Sequence, residues 1–441
     1  MNTEVIQNNK VKSILQFSIP SIIAMVLTSL ITVADGFFIG NFVGEEGLAA
    51  VNLGLPIVYL FLAVGLMVSV GGVAIAGMAL GGGDTQRSNN VFRQTMLTSV
   101  FATVMLSIII SFCLKPILYF LNTEGLAAQY FIDYYGIMLL ELPVMVIIAS
   151  FGMFIRAEGK PQFFMQVNIL NVLLNILLNY LCVRWLGWGV KGVAFASLFS
   201  ALISLCFVLR FFLKRSDIFK LGRFTFSGQV LKNTLLNGSS EFIGEMSLCI
   251  SMFAYNFVIL KNIGIDGITA FAIAGYIAYI FSMIVIGFGQ GASPLISFSF
   301  GAGEKILARS LRKITNFFVL GAGTIFFLFV LLASGWYSEI FVNNESINQM
   351  IQSGMPLFAL SFLFAGVNVI TSFYFTSIGK AKESAAISSA RGFVILLICI
   401  FTLPPILGMT GVWLTAPITE LATILLSFIF IAKDMSGMKR Q

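Results

Sequence analysis

Five carboxylates lie inside long apolar stretches of this chain: Asp35, Glu141, Glu241, Glu245 and Glu420. An ionisable group within a lipid bilayer is costly and is therefore a functional candidate by default. Asp35 has the best company. The apolar stretch 162–183 carries Asn168, Asn171, Asn175 and Asn179, spaced 3, 4 and 4, so at 100° per residue the four amides share one helical face. Asn179 precedes Trp185 by six residues, Ser197 follows Lys191 by six, and Asp35 lies shortly before the Glu45-Glu46 loop. At a rise of about 1.5 Å per residue, Asp35, Asn179 and Ser197 sit about 10 Å below the same membrane face. A carboxylate, two amide oxygens (Asn175 and Asn179) and a hydroxyl at one depth suit an exchangeable proton or a hard cation such as Na⁺. The bland alternative is interhelical hydrogen-bond glue around a structural acid.

Glu241 and Glu245 stand one helical turn apart and do not both ionise easily in a low dielectric. Facing a central cavity, they would attract cationic substrates, with Tyr255, Tyr276 and Tyr279 supplying cation–π surface. Glu241 equally suits helix stabilisation near Gly238-Ser239-Ser240, which makes the deeper Glu245 the stronger candidate. Glu141 precedes Pro143 and Glu420 follows Pro417, so both could serve backbone groups freed by the prolines; Glu141 is also kept as a substrate contact. Gln290, between two glycines, suits close helix packing or a cavity ligand.

Other chemistries are absent. The chain has no histidine, which removes imidazole metal sites and Ser/His or Cys/His catalysis. There is no phosphate-binding G-x-x-x-x-G-K-[ST] loop. The five cysteines fall in or beside apolar stretches and read as packing residues rather than disulfides. The net charge of +7 comes from residues at the ends of hydrophobic runs, not from a nucleic-acid-binding domain.

The elements that must position these residues are membrane helices. Of 441 residues, 58% are hydrophobic and 10% charged, against about 25% charged in soluble domains. The first apolar run is too long for a cleavable signal peptide. Apolar runs delimit twelve spans, at 13–39, 48–78, 93–114, 127–155, 162–183, 190–213, 232–260, 268–300, 306–333, 346–377, 385–407 and 411–432. The loops of one side carry 21 Lys and Arg, among them Arg156, Arg391, Lys439 and Arg440, and those of the other side only 4. The positive-inside rule then places both termini in the cytoplasm of a multi-pass plasma-membrane protein.

The chain also repeats itself at an offset of 220 residues: Gly71 falls on Gly291, Gly81 on Gly301 and Gly159-Lys160 on Gly379-Lys380. Each copy has an even number of spans, so the repeats are parallel. They form an N-terminal six-helix lobe (1–213), a basic linker (214–231) and a C-terminal six-helix lobe (232–441). The fold class is thus all-α and polytopic, two lobes around a central cavity, suited to alternating access. The second lobe lacks the polar set, because Asp35 falls on Tyr255, Asn175 on Ile395 and Asn179 on Cys399.

Four segments resemble a known family: Val33-Ala34-Asp35-Gly36-Phe37-Phe38-Ile39-Gly40, Arg156-Ala157-Glu158-Gly159-Lys160-Pro161, Asn175 through Tyr180, and the GFGQGASPLISFSFGAG stretch Gly287–Gly303. These look like signatures of the multidrug and toxic compound extrusion (MATE) transporters, and the resemblance covers nearly the whole chain. It implies two six-helix lobes and efflux of amphipathic, often cationic drugs in exchange for H⁺ or Na⁺. It also implies a first-lobe cation site at Asp35, Asn175, Asn179 and Ser197. Asn179 stands where some members have aspartate and Ser197 where threonine is usual, so either ion remains open. A second-lobe acidic pair of some members is half present, since span 10 has no carboxylate.

The resulting expectation is a secondary antiporter for organic cations, working as a monomer in the lipid bilayer, with no cofactor beyond the exchanged ion. A lipid-linked saccharide flippase of related architecture is the alternative; it would be expected to carry more basic residues in its cavity for a pyrophosphate. A membrane-embedded enzyme would need a catalytic set, which the sequence lacks.

Overall fold

The computed structural model describes residues 2–341 and 344–436, which are almost wholly α-helical, with no strand among them. Lys439 and Arg440, counted in the charge bias, lie outside the described residues. After a short helix, Thr3–Asn8, eleven helices are long and apolar enough to cross a membrane. They are span 1 (Lys10–Phe42), span 2 (Glu45–Gly81), span 3 (Thr85–Phe120), span 4 (Gly125–Ala157), span 5 (Pro161–Trp185), span 6 (Gly189–Lys214), span 7 (Gly228–Asn262), span 8 (Ile265–Gly301), span 9 (Lys305–Glu339), span 11 (Ala381–Leu407) and span 12 (Met409–Met435). A twelfth, span 10, is a pair bent by 42°, Glu345–Ala359 followed by Phe362–Ser377. The two halves are like-oriented lobes of six spans.

Most spans outrun the hydrocarbon core. A helix of 33 residues is about 50 Å long against a core of about 30 Å, so polar turns project beyond it. Pro20, Pro116, Pro143 and Pro294 all lie inside helices. Pro143 leaves the carbonyl of Leu139 without its helical donor, and the Ser107 hydroxyl of span 3 donates to that carbonyl at 2.7 Å. The expectation that Glu141 serves the freed backbone is therefore corrected: a neighbouring helix already does so.

The lobes meet near the face that carries both termini. A Cβ on Gly71 would lie 2.0 Å from the Thr234 carbonyl oxygen, and one on Gly238 1.8 Å from that of Met67, so spans 2 and 7 touch backbone to backbone. The same contact joins spans 2 and 8, where Gly81 faces the Phe298 carbonyl and Gly301 that of Met78, each at 2.0 Å from an added Cβ. Toward the opposite face spans 1, 7 and 8 expose side chains, including Leu30, Val33 and Phe37 on span 1, Phe253 and Phe257 on span 7, and Tyr276 and Tyr279 on span 8. Spans 2, 7 and 8 thus hold the lobes together near the terminal face, whereas no described glycine joins the lobes toward the other.

Candidate functional site

The four residues singled out by depth converge in the first lobe. Asp35 lies near the end of span 1 away from the termini and is 8% exposed; Asn175, Asn179 and Ser197 are buried. Its Oδ1 accepts from Asn179 Nδ2 at 2.7 Å and from Asn175 Nδ2 at 3.3 Å, while its Oδ2 accepts from the Ser197 hydroxyl at 3.0 Å. The donors are tied together, since Asn175 Nδ2 also donates to Ser197 Oγ (3.0 Å) and Asn179 Nδ2 to Asn175 Oδ1 (3.1 Å). Asn175 and Asn179 share a face because they are one turn apart. Directly after Asn179 the helix widens to a π-helix, Tyr180–Trp185, a distortion frequent at functional sites.

The amide stripe divides by depth. Asn168 donates to the Phe164 carbonyl of its own helix (2.9 Å) and accepts from Thr28 of span 1 at 3.4 Å, which is interhelical glue. Only Asn175 and Asn179 reach Asp35. The Oδ1 of Asn179 is buried with no hydrogen-bond partner. An unpaired amide oxygen beside a carboxylate has the chemistry to serve as a ligand to a hard cation. With the amides turned to present oxygen, Asp35, Asn175, Asn179 and Ser197 could hold a Na⁺; with the amides as they stand, the cage fits the bare carboxylate.

The remaining candidates separate. Glu245 is partly buried on span 7, and the hydroxyls of Tyr59 (span 2) and Tyr279 (span 8) lie within its electrostatic reach. That places it between the lobes. Glu241 sits thirteen residues after Gly228, too deep in its helix to act as a cap, and within reach of Glu245 and Arg391. Tyr276 is 57% exposed. Tyr255 contradicts its assignment to the cavity: it is buried in the second-lobe core and stacked on Phe271 with ring centroids 4.4 Å apart, filling the position equivalent to Asp35 with apolar packing. Gln290 is neither a free ligand nor plain packing, because its Oε1 accepts from Arg156 at 2.9 Å across the lobe boundary. Arg156 is buried, with its guanidinium 4.8 Å over the Phe164 ring.

Two cations assigned to loops thus lie within helices and are held by polar partners on other spans. Arg391 lies ten residues into span 11, in a π-helical stretch, Ala390–Val394, and its Nη2 meets Glu420 Oε1 at 2.6 Å. Asn368 of span 10 donates to Glu420 Oε2 at 2.8 Å and accepts from Ser427 at 2.9 Å. Glu420 is an ion-pair partner, then, rather than a companion of Pro417. The signal was available, since Arg391 falls six residues inside the apolar run 385–407. Asp133, at the far end of span 4, pairs with Lys191 at 3.2 Å.

Two six-span lobes joined by close backbone contacts near one face are an architecture that many membrane transporters share. The MatE family model matches residues 20–181 and again 242–402, one match in each lobe, and the chain belongs to this family of transporters. It is similar to the multidrug export protein MepA of Staphylococcus saprophyticus, 21% identical over 422 residues that cover 95% of this chain and 93% of that protein. MepA of Staphylococcus haemolyticus is 22% identical over 425 residues, with the same coverage. Among solved structures, a multidrug resistance MATE family transporter in its outward-facing conformation superposes with a TM-score of 0.92 at 22% identity, covering 98% of this chain and 97% of that one. A MOP superfamily transporter from Pyrococcus furiosus superposes with a TM-score of 0.91, also at 22% identity.

Proposed function

We propose that this chain is a secondary antiporter of the plasma membrane that exports amphipathic, chiefly cationic organic compounds in exchange for H⁺ or Na⁺. The observation that carries the reading is the cage around Asp35: a buried carboxylate with three donors and one orphaned amide oxygen, toward the face away from the termini. Glu245, with Tyr59 and Tyr279 near it, is the cleft surface offered to a cationic substrate. The likeness to the MepA proteins supports multidrug export. The flippase alternative finds no support in Glu241 and Glu245 of span 7, where a pyrophosphate would call for basic groups.

In the proposed cycle the terminal face is cytoplasmic, and the lobes close there through their glycine contacts while the cleft faces outward. Asp35 is then open to exchange with the outer solution. Occupation of the cage neutralises the carboxylate and turns the amides, which alters the packing of spans 1, 5 and 6 and biases the lobes toward the opposite closure. A single carboxylate holds Na⁺ weakly and does not exclude protonation, so a proton gradient alone drives efflux and Na⁺ competes at the same position. The test is efflux of ethidium from proteoliposomes with the H⁺ and Na⁺ gradients imposed separately. Strict Na⁺ dependence at fixed pH, with no response to a pH gradient, would overturn the choice of ion.

A further inference from the structure

Glu141 is used by nothing described so far. It is 7% exposed, its Oε2 is buried without a hydrogen-bond partner, and the proline carbonyl it might have served is taken by Ser107. Tyr134, Met138 and Glu141 follow one another along a single buried face of span 4, at spacings of four and three residues. Tyr134 and Glu141 stand about 10 Å apart along the helix axis by the helical rise. Asp35 lies within electrostatic reach of both and so faces this stretch from span 1.

The groups around Glu141 can be named by element. Span 1 contributes Asp35 and span 4 itself contributes Tyr134, while Asn175, Asn179 and Ser197 of spans 5 and 6, all uncharged, bond to Asp35. Among the described residues neither Asp35 nor Glu141 belongs to an ion pair. The two carboxylates are provided for differently. Asp35 has donors on both oxygens and is built to be a carboxylate, whereas the Glu141 Oε2 has none and is built to carry something positive.

We propose that Glu141 is a second exchange position of the first-lobe site, so that Asp35 and Glu141 together take up two monovalent cations, one of them a proton on Glu141. The orphaned Oδ1 of Asn179, bonded through its amide to Asp35, and the orphaned Oε2 of Glu141 are acceptors available to them. The division of labour follows from the environments: the caged carboxylate holds the exchangeable cation, and the uncaged one holds a proton that relieves the mutual repulsion of the two buried carboxylates. This inference rests on the antiport reading above.

Infrared pH-difference spectra of the full-length protein in lipid nanodiscs test it without any transported compound. Glu141→Gln should remove one buried carboxyl C=O band and move the titration midpoint of the band assigned through Asp35→Asn, and Asp35→Asn should reciprocally move that of Glu141. Glu141→Asp should restore a second band, which covers a Gln variant that folds poorly. In proteoliposomes, Glu141→Gln should move about half as many H⁺ per ethidium as the wild type. An unmoved Asp35 midpoint with an unchanged H⁺ count per ethidium would make Glu141 a bystander. Wild-type coupling in Asp35→Asn would instead remove the antiport reading, whatever Glu141 does.

Discussion

Replacing Asp35 by Asn changes the charge of the proposed exchange site and almost nothing of its shape. The amide can turn its oxygen toward the Nδ2 groups of Asn175 and Asn179 and its own nitrogen toward Ser197 Oγ, which can accept. Three hydrogen bonds to a charged acceptor become three between neutral groups, a loss of about 1 kcal/mol each. Part of this loss is returned because no charge is buried. The variant should therefore insert and fold, with thermal unfolding in detergent close to that of the wild type. Cation binding is another matter. A unit charge about 4 Å from a bound monovalent ion contributes about 4 kcal/mol at an effective dielectric constant near 20, which is about three decades of affinity. Gradient-driven efflux from proteoliposomes should fall to the background of empty vesicles, while equilibrium exchange of substrate in the absence of any gradient can persist. Efflux at the wild-type rate under an imposed H⁺ or Na⁺ gradient would refute the reasoning and leave the cage as a structural polar cluster.

Asn179→Asp adds a second charge to the cage and should strengthen Na⁺ binding relative to the wild type, measured as ²³Na exchange or as Na⁺ protection of a thermal melt; no change would mean that Asn179 Oδ1 never faces the ion. Removing one partner of the Arg391–Glu420 pair, as in Glu420→Gln, should destabilise the second lobe by about 3 kcal/mol, the lower end for a buried pair because Arg391 is partly exposed. The double variant Arg391→Met with Glu420→Gln should recover most of that in thermal unfolding. Gly81→Leu puts a side chain where the Phe298 carbonyl lies 2.0 Å from the Cβ position, so the terminal-face closure should fail. Efflux should be lost, and a cysteine placed at buried Ser297 should become reactive to maleimide; wild-type efflux would show that the contact does not gate transport. For the topology, a single cysteine at Lys220 should be labelled only from the cytoplasm, and labelling from outside would invert the orientation.

Class, span number and duplication were legible in the residues alone, because a bilayer forces backbone groups to be satisfied within helices and apolar runs then count the helices. The convergence of Asp35 with Asn175, Asn179 and Ser197 was legible too, since depth follows from rise per residue and the face of span 5 from its 3- and 4-residue spacing. What depth and periodicity do not carry is rotation about the helix axis and the identity of the neighbour across it. Tyr255 and Glu245 are both polar groups of span 7, yet one is buried against Phe271 and the other reaches the cleft. Glu141 looked like a companion of Pro143 until Ser107 of another span proved to be the donor. Arg156 and Arg391 looked like loop charges until their guanidinium groups were found on Gln290 and Glu420. Each of these is a contact between different spans, set by which ridges of two helices interlock, and that is decided only when the spans pack together.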